Sequence, residues 1–362
     1  MAPVSPTDLL ASTAALVDVA SPSRAEGPLV DLIEADLRGH AHLEVTRVGD
    51  NLVARTSLGR SERVILAGHT DTVPAAGNER ARLVGDRLHG VGSADMKGGL
   101  AVMLELARTE MAPAIDVTWV FYAREEIASV ESGLAELFTS RPDLLVGDVA
   151  ILGEPTDAVV EAGCQGTLRV RIRVRGARAH TARPWMGRNA VHRLAAILDV
   201  LDRYEERRPV IDGCEFREAL QAVAVEGGVA GNVVPDEAQV TVNHRFAPDR
   251  TPTEAEDHVR SLFAGHLDAD DAIEVLDVAD GAAPGLTHPL LASLVGRSGG
   301  TVLAKLGWTD VARFASHGVP AVNFGPGDST VAHTVGEYLD RAPLERVHEV
   351  LAGLLREGVS TG

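Results

Sequence analysis

Along the first part of the chain, short runs of consecutive apolar residues alternate with longer stretches in which apolar positions recur every three or four residues. The runs "RVILAG", "VTWVFYA" and "DVAILG" lack polar alternation, as strands buried on both faces of a wound α/β sheet do. Between the first two, "DMKGGLAVMLELAR" places Leu100, Met103, Leu104 and Ala107 on one face and predicts a helix opening after the glycine-rich turn "HGVGSA". Asp95 stands at the entrance to that helix.

From about residue 166 the pattern changes. "TLRVRIRVRG" alternates strictly, with Leu168, Val170, Ile172 and Val174 on one side and Arg169, Arg171, Arg173 and Arg175 on the other, so one face of this strand is wet and the sheet is of antiparallel type. A helix over "RNAVHRLAAILDVLDRYEERR" follows, then strands "LQAVAVEGG" and "AQVTVNHRF", a helix opening at "TPTEAEDHVRSLF", and a last strand "AIEVLDV". This βαββαβ order predicts a small α+β, ferredoxin-like domain. After about residue 281 the strand-then-loop style returns in "PAVNFGPGD". The expected organisation is an α/β, wound mixed-sheet domain over residues 1–165 and 282–362, interrupted by an inserted domain over 166–281. No internal repeat or low-complexity tract is present.

A length of 362 residues and 45% hydrophobic content suit two cores. No run of eighteen apolar residues occurs, and the opening "MAPVSPTDLLASTAALVDVASPSR" lacks the basic flank and apolar stretch of a signal peptide, so no membrane partner and a cytoplasmic location are expected. The net charge of −18 excludes nucleic acid as the expected partner. Only Cys164 and Cys214 are present, which leaves any metal to His, Asp and Glu.

Those residues gather at one kind of place. In an open α/β sheet, ligands bind beyond the carboxyl ends of the strands. His69 and Asp71 follow "VILAG", Glu125 and Glu126 follow "VTWVFYAR", Glu154 follows "VAILG", and His333 follows "AVNFGPGDSTVA". Singly, each has an ordinary reading: a hydrogen-bonded histidine, a helix-capping aspartate at Asp95, solvated glutamates. Together, the five carboxylates would repel one another unless a cation neutralised them. Imidazole with carboxylate and no thiolate suits zinc, with cobalt or manganese as substitutes. Two such ions roughly 3.5 to 4 Å apart polarise a carbonyl and acidify water. One of the adjacent Glu125 and Glu126 can then ligate while the other accepts the water's proton.

"GHTDTVP", "GVGSADMKGGLAVML", "YAREEI", "ILGEPTD", "GARAHTARPWMGRNAVH" and "FGPGDSTVAH", in this order and spacing, resemble the metallopeptidase family of aminoacylases, carboxypeptidase G, acetylornithine deacetylase and succinyl-diaminopimelate desuccinylase. The likeness runs nearly end to end, and "KLGWTDVARF" adds to a resemblance to the desuccinylases of actinobacterial type. It implies two Zn2+ per subunit. His69 and Glu154 would bind one, Glu126 and His333 the other, with Asp95 shared. Glu125 would be the general base, Asp71 would orient the His69 imidazole, and His180 would donate to the oxyanion of the tetrahedral intermediate.

The implied reaction hydrolyses N-succinyl-LL-2,6-diaminopimelate to succinate and LL-2,6-diaminopimelate, in lysine and cell-wall biosynthesis. Acetylornithine, other N-acyl amino acids and dipeptides are the alternative small-molecule substrates. Arg178, Arg183 and Arg245, with Asn232 and Thr309, are the candidates for holding a substrate rich in carboxylates. The arginines at 169, 171, 173 and 175 read instead as a solvated face. Arg183 stands where other desuccinylases often carry an aromatic residue, and Trp308 and Thr309 where they often carry a threonine-serine pair. The resemblance also implies a homodimer through the inserted domain, with a hinge near residues 165 and 281.

Overall fold

The computed structural model describes residues 8–359; the extreme ends of the expected catalytic domain, 1–7 and 360–362, lie outside the described residues. Two compact units result. One takes the chain up to Ala162, Pro284–Leu303 and the chain from Arg313 onward; the other takes Gly163–Ala283 together with Ala304–Ala312.

The first unit is built on a mixed sheet whose strands run in the order Glu44–Val48, Asn51–Arg55, Asp116–Tyr122, Arg63–His69, Val149–Leu152, Ala321–Asn323, Val160–Ala162, Val302–Ala304. Arg63–His69 pairs parallel with both neighbours, setting Leu66 beside Trp119 on one side and Ile151 on the other. With neighbours on both edges and helices over the faces, it has no wet side, which is why its apolar run is continuous. Ala321–Asn323 is also parallel to its neighbour Val149–Leu152. Four strands therefore deliver their carboxyl ends to one edge of the sheet.

Asp116 opens one of these strands from a buried position. Its carboxylate accepts hydrogen bonds from the Thr56 hydroxyl at 2.7 Å and from the amides of Leu58 and Arg60 at 2.9 Å each. Three donors offset the desolvation that an isolated carboxylate would suffer there.

The helix predicted from Asp95 begins instead at Gly98 and runs to Thr109. Asp95 and Met96 leave helical geometry, at φ −122°, ψ 93° and φ −133°, ψ 35°, so Asp95 lies in an irregular turn and does not cap the helix. The glycines that follow have a packing reason. A Cβ on Gly99 would stand 2.3 Å from the Gly153 carbonyl oxygen, so only glycine lets the helix start approach the exit of strand Val149–Leu152.

The second unit has the order read from the sequence: strand Gly166–Arg175, helix Ala190–Asp202, strands Ala219–Gly227 and Glu237–Phe246, helix Pro252–Phe263, strand Ala272–Ala279. The strands form an antiparallel sheet in the order Ala219–Gly227, Glu237–Phe246, Gly166–Arg175, Ala272–Ala279. Leu168, Val170, Ile172 and Val174 pack against Leu194, Ile197, Leu201, Val259 and Phe263 of the two helices. Thr251 and Glu254 form a reciprocal capping box that starts the second helix. The first helix stops at Asp202, earlier than its apolar period suggests. Pro209 bars Arg208 from helical geometry, and Arg207 turns away to pair with Glu218 at 2.7 Å and Asp249 at 2.6 Å. The arginine face is charge-matched across strands: Arg169 meets Asp277 at 3.1 Å, Arg171 meets Glu274 at 3.3 Å, and Arg175 pairs with Glu237.

Among the described residues, no helix is long and apolar enough to cross a membrane.

Candidate metal centre

His69 is the last residue of strand Arg63–His69 and is buried. Its Nδ1 lies 3.0 Å from the main-chain carbonyl oxygen of Asp71, with the Asp71 carboxylate farther off at 3.6 Å. The carbonyl accepts from Nδ1, which makes that nitrogen the protonated one and turns Nε2 toward Asp95 Oδ1 at 3.1 Å. The orienting group closest to His69 is thus the Asp71 backbone rather than its side chain.

The Asp71 carboxylate also holds a neighbouring turn. It accepts the amide of Glu125 at 3.0 Å, the amide of Glu126 at 3.1 Å and the Ser23 hydroxyl at 2.7 Å. It therefore pins the turn on which the two adjacent glutamates sit. Burial raises its pKa, but the interactions with His69 and these donors outweigh burial and bring the pKa down to about 2. The same turn is entered through Arg124 at φ +62°, whose amide donates to Glu26 at 3.1 Å and whose guanidinium donates to the Glu131 carbonyl at 2.7 Å and the Glu136 carboxylate at 2.7 Å.

Glu126 then meets His333, whose Nε2 lies 2.9 Å from Glu126 Oε1 and 3.4 Å from Asp95 Oδ2. His333 holds φ +61°, an uncommon geometry for a residue with a side chain and one that clusters at functional sites. Among the described residues, ligand atoms of His69, Asp95 and Glu126 all fall within 4.8 Å of one another. Glu154 follows Gly153 at the next strand exit and is buried, and its charge acts on His69. Gly325, in the loop leading to His333, packs so closely that a Cβ there would stand 2.3 Å from the Glu154 carbonyl oxygen.

Carboxylates dominate the electrostatics of this cluster. Burial disfavours a charged His69, yet Asp71, Asp95 and the charge of Glu154 raise it well above the ordinary imidazole value. Hydrogen bonds to Asp95 and then Glu126 carry His333 up to about 10, against its partial burial. Asp95, despite burial, is held below the usual carboxylate range by His333 and His69. The carboxylates draw protons onto both imidazoles because they need positive charge nearby. A divalent cation would supply that charge and could take the same nitrogen and oxygen atoms as ligands, so the donor set fits zinc.

The structure brings His69, Asp71, Asp95, Glu125, Glu126, Glu154 and His333 to one edge of the first unit. The remaining candidates lie in the second. There His180 bridges to Val233, and the Thr181 amide donates to the Asn232 carbonyl at 3.1 Å. His180 Nδ1 accepts the Ala182 amide at 3.0 Å, which leaves Nε2 as the nitrogen able to donate. The Arg183 amide donates to the His180 carbonyl at 2.8 Å. Arg178 is paired with Asp236 at 2.8 Å. Thr309 is buried beside Cys164. Arg245 is half-buried, has no ion-pair partner among the described residues, and is lowered by that burial and by the neighbouring Arg169. Sequence reading missed Ser23, and missed Glu337, which accepts amides from the Asp95 turn.

The model of peptidase family M20/M25/M40 matches residues 65–357. The chain belongs to this family. A Mycobacterium tuberculosis protein assigned as the succinyl-diaminopimelate desuccinylase DapE is 55% identical over 327 residues, covering 90% of this chain and 92% of that one. The succinyl-diaminopimelate desuccinylase of Corynebacterium glutamicum is 42% identical over 361 residues, covering 98% and 96%. Among solved structures, a Staphylococcus aureus tripeptidase superposes with a TM-score of 0.78 at 20% identity, covering 98% of each chain. A dinuclear metal binding peptidase of Bacillus subtilis gives 0.67 at 15% identity, again over 98% of each. These two likenesses are of fold. As an M20 family member, the chain is a hydrolase of metallopeptidase type.

Proposed function

We propose that this M20 enzyme is a dinuclear zinc desuccinylase that hydrolyses N-succinyl-LL-2,6-diaminopimelate to succinate and LL-2,6-diaminopimelate. The observation that carries the reading is the convergence of His69, Asp95, Glu126 and His333 beside a second glutamate, Glu125, on a turn pinned by the Asp71 carboxylate. The 55% and 42% identities to proteins of that name support the choice of acyl group.

In this reading His69 and Glu154 hold one ion, Glu126 and His333 the other, and Asp95 serves both. When bound, the pair supplies Lewis-acid polarisation of the scissile carbonyl and acidifies an attacking water. Cobalt or manganese serve as substitutes for zinc.

The chain's own residues do the rest. Glu125 accepts the water's proton and returns it to the departing amine, a transfer that its pinned backbone keeps in register. His180 Nε2 donates to the oxyanion as charge develops. Arg245 offers a partly desolvated, unpaired guanidinium to a substrate carboxylate, which makes it a stronger candidate than Arg178, already neutralised by Asp236. Arg183, Asn232 and Thr309 complete the proposed substrate contacts.

The insert expected over residues 166–281, which makes up most of the second unit, is the proposed lid and dimerisation element. The edge position of strand Ala219–Gly227 and the exposure of Val223 and Val225 on it support a homodimer.

The deciding experiment compares kcat/KM of the zinc-loaded enzyme for succinyl-diaminopimelate, acetylornithine and a dipeptide panel. A preference for the succinylated substrate is expected. Faster turnover of acetylornithine or of a dipeptide would overturn the substrate assignment and make the chain a related deacylase or dipeptidase.

A further inference from the structure

Glu337 lies four residues beyond His333 and is 1% exposed. Its carboxylate enters the turn that carries Asp95. Oε1 accepts the amides of Ala94 at 2.9 Å and Asp95 at 3.1 Å, and Oε2 accepts that of Gly92 at 3.1 Å. The Glu337 carbonyl also accepts the Gly90 amide at 3.2 Å. The amides of Gly92, Ala94 and Asp95 precede the helix that starts at Gly98, so that helix offers them no carbonyl to bond. One buried side chain satisfies all three, and in doing so defines where the turn sits.

A second buried charge braces the turn from its other end. Lys97, also 1% exposed, donates its ammonium to the carbonyls of Leu16 at 3.1 Å and Val19 at 2.8 Å, and Glu337 attracts it electrostatically. Strand Tyr338–Asp340, which begins at the next residue, pairs with Arg87–His89. The segment bearing His333 and the turn bearing Asp95 are thereby fastened together.

We propose that Glu337 is a positioning residue for the metal centre: by clamping the amides of residues 92, 94 and 95 it fixes the Asp95 carboxylate where it reaches both His69 and His333. The proposal rests on the reading of this cluster as a metal site. Groups that orient ligands in this way typically contribute about 10–100-fold in metal affinity.

Zinc affinity of the full metal-free chain, measured against a competing chelator, tests it, together with the thermal midpoint of the metal-free state. Glu337→Gln keeps one acceptor oxygen for Ala94 and Asp95 but turns an NH2 toward the Gly92 amide, so zinc should weaken by roughly 10-fold, and Glu337→Ala, which loses all three bonds, should approach about 100-fold. Asp116→Asn is the control, because Asp116 also accepts two amides and a hydroxyl in the same unit without touching the cluster. It should lower the thermal midpoint while leaving zinc affinity within about twofold. Unchanged affinity in Glu337→Gln overturns the proposal, as do equal losses in Glu337→Gln and Asp116→Asn, which would reduce the effect to general destabilisation. A wild-type chain that takes up no zinc removes the metal reading itself, and the proposal with it. Wild-type uptake with an indifferent Glu337→Gln removes only the proposal.

Discussion

Gly99→Ala probes whether one close approach sets the spacing between Asp95 and Glu154. The added Cβ would lie 2.3 Å from the Gly153 carbonyl oxygen and 3.1 Å from both the Gly153 carbonyl carbon and the Met96 methyl. The methyl can swing aside. The carbonyl cannot, because the Gly153 amide is bonded to Ala67 at 3.0 Å and so belongs to the sheet. The shortfall against an ordinary contact is about 1 Å, and overpacking of this kind costs about 1–3 kcal/mol. Alanine's helix preference returns at most about 1 kcal/mol of that. With that offset in full, a net loss of up to about 2 kcal/mol remains, which corresponds to at most roughly 8 °C in thermal midpoint for a unit of this size. The same displacement parts Asp95, just before the helix, from Glu154, just after Gly153, and misplacement by about 1 Å can cost about 100-fold in rate. Calorimetry of the metal-free variant, zinc titration and turnover measure the three effects separately. Wild-type zinc affinity and turnover in a folded Gly99→Ala variant would refute the claim that this contact spaces the two carboxylates.

Other expectations follow from the same structure. Glu125→Gln should lower kcat by about 10²–10⁴-fold with zinc content unchanged by elemental analysis; retained turnover would remove Glu125 from proton transfer. Arg245→Met should raise KM for the succinylated substrate and also raise the thermal midpoint, since it removes a partly buried cation that has no ion-pair partner among the described residues; an unaltered KM would discard Arg245 as a carboxylate ligand. Burial lowers His244 to about 4, so its neutral form is favoured in the folded second unit. Stability from this group is complete above the unfolded value of about 6.5 and is lost as pH falls through about 4, to a total of about 3 kcal/mol. His244→Phe should flatten the calorimetric pH dependence between those values, and an equally steep acid loss in the variant would assign the effect elsewhere.

Much of the fold was legible because burial writes itself into residue order. A strand with neighbours on both sides must be apolar throughout, as in Val64 to Ala67, and a sheet with one face toward helices must alternate, as from Leu168 to Arg175. The candidate site was legible for a related reason: parallel strands end on a common edge, so chemistry-bearing residues just after such runs converge without any knowledge of the loops. Periodicity misled at Asp95, since "DMKGGLAVML" carries helical spacing upstream of the true helix start, and the carboxylate that accepts the Asp95 amide lies 242 residues later in the chain. It could not foresee that Pro209 and the ion pairs of Arg207 end a helix early.

Strand alternation placed His69 and Asp71 on one side, which is a local property of extended chain. Whether the Asp71 carboxylate then faces the imidazole or the amides of Glu125 and Glu126 depends on where a strand some fifty residues away ends. The amino-acid order by itself therefore determined which elements form and which residues reach the sheet edge, because those follow from short-range sterics and the burial of apolar runs. Tertiary structure decided the hydrogen-bond partners that hold each side chain, because a buried donor or acceptor is satisfied by whatever the fold brings within about 3 Å of it, however distant in sequence.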